Sequence, residues 1–209
     1  MRKLGCLVVL VIGAALGWVL RDKIVGGVRD KPVVASGWER LTPEGAARMR
    51  AALAQLQRQS GPLLITVRPG DLASYVYEQL VQQLPPSADS VEAGAFEDKL
   101  YVRASVKPSD FGTDALGPLA SFLDERERMQ FGGGFEIIRP GLAQFRVTEI
   151  RFHDLKVPAS AIPRLLRRVG RGARPAGLSP DGLPLLVPNY ISEVKIEPGR
   201  VTLYRPAAR

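Results

Sequence analysis

The sequence predicts an α+β fold with a largely antiparallel sheet. Helix and strand patterns follow one another over residues 42–204 in the order helix, strand, helix, strands, helix, strands, helix and hairpin. Runs of strands separated by single helices are typical of the α+β class. Apolar residues alternate from Leu100 to Val106 as in a half-buried strand, and Pro198-Gly199 joins the two closing strands in a turn suited to type II geometry.

A membrane anchor is predicted ahead of this region. Leu4 to Leu20 is an unbroken apolar run flanked by basic residues, at the lower limit of the about 17–25 residues that cross a hydrocarbon core. We therefore expect residues 1–23 to form an N-terminal transmembrane helix. A cleavable signal peptide is the alternative, although no small-x-small cleavage site stands out between Leu16 and Val28.

The orientation of the anchor follows from two opposing rules. Nearby Lys and Arg are more numerous after the apolar run than before it, which alone favours a cytoplasmic C-terminus. Long domains translocate largely regardless of charge, and an anchor at the start of a chain normally keeps its short tail inside. We expect a single-pass protein of the bacterial cytoplasmic membrane with an extracytoplasmic C-terminal domain. Gly13 and Gly17 match the small-xxx-small motif and predict a weak homodimer.

Residues 24–41 are predicted to be a tether and residues 42–209 a single α+β domain. In chain order the predicted elements of the domain are a helix from Thr42 to about Ser60, a strand from Leu63 to Arg68, a helix capped by Asp71 and ended by Pro85-Pro86, two strands around Glu97 to Lys99, an apolar helix from Leu116 to Leu123, strands over Phe135 to Arg139, Gln144 to Val147 and Glu149 to Phe152, a helix from Ser160 to Val169, and the hairpin of Tyr190 to Ile196 and Arg200 to Tyr204.

Caps and apolar stripes define the first two helices. Thr42 is a good N-cap and Pro43 suits the first helical position. After the turn residues Pro69-Gly70, Asp71 is expected to cap the second helix. One stripe of that helix is apolar and consists of Leu72, Val76, Leu80 and Leu84.

Three local irregularities occupy the middle of the domain. The mixed-charge run Asp124 to Arg128 is interpreted as a solvated face. Gly132-Gly133-Gly134 leads into a strand and lacks the Lys-Ser/Thr of a phosphate loop, so we expect a bulge or a close backbone approach there. The apolar phase shifts near Thr148-Glu149, which predicts a bulge between two strands.

No catalytic or metal site is predicted. Cys6 is the only cysteine and His153 the only histidine, so one chain cannot form a Cys–His dyad or a His-based metal site. No serine lies in a nucleophile-elbow motif. We expect a protein that is not an enzyme and that carries no cofactor and no metal.

A basic helix face suggests a partner. The predicted helix Ser160 to Val169 has an apolar face, and its neighbouring face carries Arg164, Arg167, Arg168 and Arg171. The net charge is +8, and no carboxylate occurs between Asp154 and Asp181. These arginines either pair with acids from elsewhere in the domain or meet anionic lipid headgroups. Nucleic acid is not expected as a partner, because no aromatic side chains interleave with the arginines.

The stretch Leu64-Ile65-Thr66-Val67-Arg68-Pro69-Gly70-Asp71-Leu72-Ala73-Ser74-Tyr75 resembles the start of the bacterial YpmS-like proteins. Those proteins and the LmeA-like lipid binders resemble the tubular lipid-binding (TULIP-like) superfamily. Phe96 to Val102, Val157-Pro158 and the hairpin Ile196 to Leu203 add to a likeness that covers about residues 62–204. The resemblance implies a curved, largely antiparallel sheet packed on a long helix, with an apolar cleft between them. It implies no catalytic residues.

Two functions of different classes follow. The first is binding of a membrane lipid or another amphiphile at the envelope, in lipid transport or presentation. Its candidate groove residues are Leu72, Val76, Leu80, Leu100, Val102, Phe145, Val147, Ile150 and Phe152. The second is a structural or interaction subunit of an envelope complex, with a closed core and a protein partner. A lined groove favours the first function, and a filled core with an exposed apolar patch favours the second.

Overall fold

The computed structural model describes residues 37–80, 87–111, 124–153, 155–169 and 175–206. The predicted anchor, most of the predicted tether, Leu84, the predicted helix Leu116 to Leu123 and Arg171 lie outside the described residues. Residues Ala35–Arg209 belong to one compact unit. Among the helices within the described ranges, none combines the length and the apolar character needed to span a bilayer.

Three α-helices lie in the described ranges. Helix α1 is Pro43–Gln57, helix α2 is Pro69–Leu80 and helix α3 is Ile162–Val169. Short 3-10 turns cover Pro108–Phe111 and Ala159–Ala161. The first two helices confirm the predicted ones, and the predicted helix Ser160 to Val169 starts as a 3-10 turn before it becomes α-helical.

Two antiparallel sheets make up the rest of the described domain. The strands are β1 Glu39–Arg40, β2 Leu64–Val67, β3 Asp89–Phe96, β4 Lys99–Val106, β5 Glu127–Arg139, β6 Leu142–Phe152, β7 Leu155–Lys156, β8 Gly182–Leu186, β9 Glu193–Glu197 and β10 Arg200–Tyr204. The large sheet has the order β1-β3-β4-β5-β6, and both β7 and β8 pair with the free side of β6. The small sheet has the order β2-β10-β9. The predicted class, α+β with a largely antiparallel sheet, is confirmed.

Both ends of α1 are fixed by side chains. The Oγ1 atom of Thr42 accepts a hydrogen bond from the N–H of Gly45 at 3.0 Å, as the predicted N-cap requires. At the other end, the guanidinium of Arg205 donates to the carbonyl oxygens of Leu56, Arg58, Gln59 and Gly61. The last carbonyls of a helix have no partner within the helix. Arg205 therefore ties the end of β10 to the end of α1.

Asp71 does not cap α2, contrary to prediction. The helix begins at Pro69, and the Asp71 carboxylate points to arginines instead. It is buried and accepts hydrogen bonds from Nη2 of Arg48 at 2.6 Å and from Nε of Arg48 at 3.1 Å, with longer contacts to Arg68. Burial alone would raise the pKa of Asp71, but the hydrogen bonds from Arg48 and Arg68 outweigh it and hold the pKa below its usual value. This ion cluster joins α1 to α2.

The triple glycine lies inside a strand, whereas the sequence suggested that it precedes one. β5 runs through Gly132-Gly133-Gly134, and its register against β6 shifts between Gly132 and Gly133. Gly132 is opposite Glu149 and Gly133 is opposite Val147, so Thr148 is the extra residue of a bulge. The predicted bulge is confirmed, but the two strands predicted beside it are the single strand β6. A Cβ atom on Gly132 would overlap the ring of Tyr101.

Three short strands were not predicted. β1 falls inside the predicted tether and pairs with β3, where the guanidinium carbon of Arg103 lies 4.0 Å above the ring of Trp38. β7 follows the turn at His153. β8 lies in the Pro/Gly-rich loop, and Pro184 is tolerated in it because an edge strand has one side without ladder hydrogen bonds. The charged run is also partly a strand, since β5 begins at Glu127.

Replacement of Asp71 by Asn is expected to destabilise residues 35–209 by about 1–3 kcal/mol at pH 7. Hydrogen bonds to a charged group contribute about 1.5–3 kcal/mol, and the 51% exposure of the Arg48 side chain weakens them. Because the pKa of Asp71 is lower in the folded chain than its usual 3.8, the cluster stabilises the fold fully above that value and loses its effect as pH falls through the folded-state pKa. Urea unfolding midpoints measured from pH 7 downward should therefore converge for the two proteins once the pH has fallen below the folded-state pKa of Asp71.

The matched control for this substitution is Asp89→Asn. Asp89 pairs with Arg126, and 57% of its side chain is exposed, so its loss should cost less than about 1 kcal/mol. Equal effects of the two substitutions at pH 7 would contradict the role assigned to the Asp71 cluster.

Candidate functional site

An apolar cavity lies between α2 and one face of the large sheet. This face, here called the inner face, carries alternate residues of β4. The lining residues of α2 are Ala73, Val76, Tyr77 and Leu80. Those of the inner face are Leu100, Val102, Ala104, Val106, Met129, Phe131, Phe135, Phe145, Leu183 and Leu185. Leu41, Ala88 and Val91 complete the wall.

Strand pairing brings the inner-face side chains together. Val102 of β4 is directly opposite Phe131 of β5, and Phe135 of β5 is opposite Phe145 of β6. The ring centroids of Phe135 and Phe145 are 5.2 Å apart and the rings are tilted, a favourable aromatic arrangement. Phe145 is in turn opposite Leu183 of β8. Four strands thus form one continuous apolar wall.

The size and chemistry of the cavity limit what it can hold. Its volume is about 120 Å³, and its accessible surface is entirely apolar. A dry apolar cavity of about 150 Å³ holds a benzene molecule, whereas pockets for whole drug-sized ligands measure about 300–1,000 Å³. Val76, Leu80 and Val102 are only partly buried, so solvent reaches part of the lining. The cavity fits a short hydrocarbon segment.

The predicted groove residues separate into two groups. Five of them line the cavity, namely Val76, Leu80, Leu100, Val102 and Phe145. The other four are buried in closely packed core, with exposures of 5% for Leu72, 0% for Val147, 0% for Ile150 and 1% for Phe152. The structure does not bring these four to the cavity.

Several lining residues were missed by the sequence reasoning. Leu183 and Leu185 lie in β8, where the alternation of Leu183-Pro184-Leu185 was the available signal. Ala73 and Ala104 were missed because small residues give little hydrophobic periodicity. Their small side chains nevertheless help to leave the space that the cavity occupies.

A more polar cleft adjoins the cavity. It has a volume of about 490 Å³, and it shares Leu80 and Leu185 with the cavity as walls. Its other residues are Tyr75, Glu78, Gln79, Pro184, Leu186, Val187 and Pro188. Leu186 is 74% exposed at the rim. An apolar compartment and a partly polar one thus meet along one end of α2.

Helix α3 lies elsewhere in the domain and presents cations to solvent. Ile162, Leu165 and Leu166 are buried in the core, as the predicted apolar face requires. Arg164 and Arg167 are exposed, and no carboxylate of the described residues forms an ion pair with either of them. Arg168 lies on the last turn of α3.

The remaining ionisable groups near β6 have structural partners. His153 forms the turn to β7 with a φ of 50°, and its backbone N–H donates to the carbonyl oxygen of Arg128 at 2.7 Å. A hydrogen bond of 2.6 Å from Arg151 lowers the pKa of Glu149. Within the described ranges, no three side chains of the metal-binding types are grouped closely enough to hold an ion.

Comparison of the chain with protein-family models, with curated proteins and with solved structures finds no match. The TULIP-like resemblance of residues 64–75 therefore stays a prediction. The assignment of a function rests on the geometry of the cavity, the cleft and α3.

The cavity predicts opposite effects for two alanine substitutions in the large sheet, one in β4 and one in β6. Ala104→Ile places its added carbon atoms in the cavity and should stabilise residues 35–209 by about 0.5–2 kcal/mol, as cavity-filling substitutions do. Ala143, which is 0% exposed and does not line the cavity, has no such space, and Ala143→Ile should cost about 1–3 kcal/mol through overpacking. Urea unfolding measures both. A loss of stability in Ala104→Ile as large as that in Ala143→Ile would show that the site is filled.

Proposed function

We propose that this protein binds a lipid or another amphiphile, with an apolar segment of the ligand in the cavity between α2 and the large sheet. The observation that carries the proposal is a cavity with an entirely apolar lining that adjoins a polar cleft. Burial of apolar surface contributes about 25 cal/mol per Å², so a hydrocarbon segment gains by leaving water for this site. The geometry suits a molecule that is apolar at one end and polar at the other.

The N-terminal sequence supports a place at a membrane. The apolar run Leu4 to Leu20 is long enough to anchor the chain, and an anchored domain stays within reach of the lipids it would bind. In this proposal the protein is a single-pass protein of the bacterial cytoplasmic membrane with an extracytoplasmic domain. It moves or presents lipid beside its own membrane.

The finer fold that we propose is a TULIP-like half, in which a curved sheet packs on a long helix. Three features support it. Helix α2 covers the inner face of an antiparallel sheet, an apolar cavity lies between the two, and the chain closes with the β9-β10 hairpin. The first two are what the family resemblance implies, and the hairpin is one of the segments that carry the resemblance.

The alternative function is that of an interaction subunit in an envelope complex. It is favoured by Leu63 and Leu64, which are 51% and 46% exposed at β2. β2 is an edge of the small sheet, and an edge strand can accept a strand from a partner. In this alternative the cavity is a packing defect that stays empty.

Lipid retention tests the proposal. Full-length protein purified from its membrane and residues 35–209 should both yield a lipid on mass spectrometry of organic extracts. Ala104→Ile, which fills the cavity, should reduce retention about tenfold, equivalent to about 1.4 kcal/mol of binding free energy. Ala51→Ile adds the same atoms on the exposed side of α1 and should leave retention unchanged. The proposal fails if the native protein retains no lipid and takes up no fluorescent fatty acid.

The arginines of α3, together with Arg171, which follows the helix in the sequence, give a second prediction, that they hold the domain against anionic headgroups. Each basic residue near an anionic surface contributes about 1 kcal/mol. Substitution of all four arginines by Gln should therefore weaken co-sedimentation of residues 35–209 with anionic vesicles by about 3–4 kcal/mol, and added salt should have the same effect on the native protein. Gln keeps helix propensity, so the thermal stability should hardly change. The substituted residues are Arg164, Arg167, Arg168 and Arg171.

A control variant with the same loss of charge shows whether vesicle binding depends on the α3 face itself or on the overall positive charge of the domain. Four exposed arginines outside α3 serve for it, namely Arg40, Arg58, Arg128 and Arg139. Their substitution by Gln should weaken vesicle binding much less than the change on α3. Salt-insensitive binding that survives the change on α3, or an equal loss in the control, argues against this role. A fall in thermal stability on α3 substitution would instead indicate that these arginines pair with acids within the domain.

A further inference from the structure

We infer that the ligand carries an uncharged head group with hydroxyl or amide functions, and that this head group lies in the cleft against Tyr75 and Gln79. The inference rests on the proposed function and adds the chemistry and the position of the polar end. It is carried by the arrangement of side chains along α2 and by the charges at the cleft.

Helix α2 places a polar stripe beside an apolar one. Val76 and Leu80 are one helical turn apart and both line the cavity. Tyr75 and Gln79 have the same spacing and both line the cleft. Leu80 and Leu185 belong to both compartments. A ligand whose chain lies along Val76 and Leu80 therefore has its polar end beside Tyr75 and Gln79.

The polar groups of the cleft are free to bind. Neither the hydroxyl of Tyr75 nor the amide of Gln79 forms a side-chain hydrogen bond with any residue in the described part of the chain. A phenol hydroxyl and a carboxamide each both donate and accept. Together they match a head group that also does both, such as the hydroxyls of a glycerol or sugar or an amide.

The charges at the cleft disfavour an ionic head group. Glu78 is the acidic residue of the cleft, and its carboxylate forms an ion pair with Arg50 on α1. No Lys or Arg is among the residues that line the cleft in the described ranges. A carboxylate or phosphate would lie near Glu78 without a cation of its own, and a cationic head group would compete with Arg50. An uncharged head group avoids both costs.

Photoreactive probes of equal chain length test the inference on the full-length chain in nanodiscs. Each probe carries a diazirine at the end of its alkyl chain, and the heads are glycerol ester, carboxylate, phosphate and primary amine; a headless alkane is the fifth probe. Peptide mapping should locate the crosslinks at cavity residues such as Val102 and Phe145. The glycerol-ester probe should label them about tenfold more than any charged probe, equivalent to about 1.4 kcal/mol.

The double variant Tyr75→Phe, Gln79→Leu removes both polar groups and keeps the size of the side chains. It should lower labelling by the glycerol-ester probe about tenfold, the effect of losing one to two hydrogen bonds, while labelling by the alkane probe stays the same and reports an intact cavity. The matched control, Tyr101→Phe with Gln55→Leu, changes the same groups away from the cleft and should leave both signals unchanged.

The outcomes separate this inference from the function on which it rests. If a charged probe labels the native chain as strongly as the glycerol-ester probe or more strongly, the inference of an uncharged head group is overturned, whatever the result for the variants. An unchanged preference for the glycerol-ester probe in the double variant overturns its placement against Tyr75 and Gln79. If the alkane probe does not label the cavity of the native chain, the proposed binding of an apolar segment is itself overturned.

Discussion

The position of α2 depends on the buried carboxylate of Asp71, and the cavity depends on the position of α2. A buried carboxylate is tolerated only where its hydrogen bonds replace those lost to water, and Arg48 of α1 together with Arg68 ahead of α2 supplies them. Ser74 adds a second link, because its Oγ accepts from the N–H of Thr42 at 3.0 Å and donates to the carbonyl oxygen of Gly70 at 2.6 Å. These bonds hold the first turn of α2 against α1. The rest of the helix then extends over the inner face of the large sheet.

An unfilled cavity lowers the stability of the fold, and a ligand that fills the cavity can restore it. At about 24 cal/mol per Å³ for an enclosed cavity, a volume of about 120 Å³ corresponds to at most about 3 kcal/mol of stability that closer packing would have supplied. The core beside it shows that this chain does pack closely, since Ile150 and Val147 are 0% exposed. A ligand that binds only the folded chain adds stability in proportion to the logarithm of its concentration over its Kd. Occupancy of the cavity would thus be linked to the stability of the domain.

The sequence predicted the class, both long helices, the central strands and the bulge, because each has a strong local signal. Thr42 and Pro43 mark a helix start, and the alternation from Leu100 to Val106 marks a strand. The errors arose where a tertiary contact decides the outcome. Asp is a common N-cap residue, but the carboxylate of Asp71 accepts hydrogen bonds from Arg48 and Arg68 and not from the backbone of α2. Five of the nine groove candidates line the cavity and four are in the core. The apolar face of a strand can contribute to the cavity wall or to the closely packed core, and the position of α2 decides which of its residues border the cavity.

In the proposed lipid-binding domain, α3 would recognise the membrane surface and the cleft beside α2 would recognise the ligand. In the proposed function the arginines of α3 would act through charge, which reaches over about a Debye length and does not distinguish one anionic headgroup from another. The cleft beside α2 would act through hydrogen bonds at contact distance, and these discriminate because an unmatched polar group is costly once it is buried. A surface that attracts anionic lipid and a site that prefers an uncharged head group are therefore compatible. In this proposal the arginines would bring the domain to an anionic membrane, and the cleft would select an uncharged lipid from it.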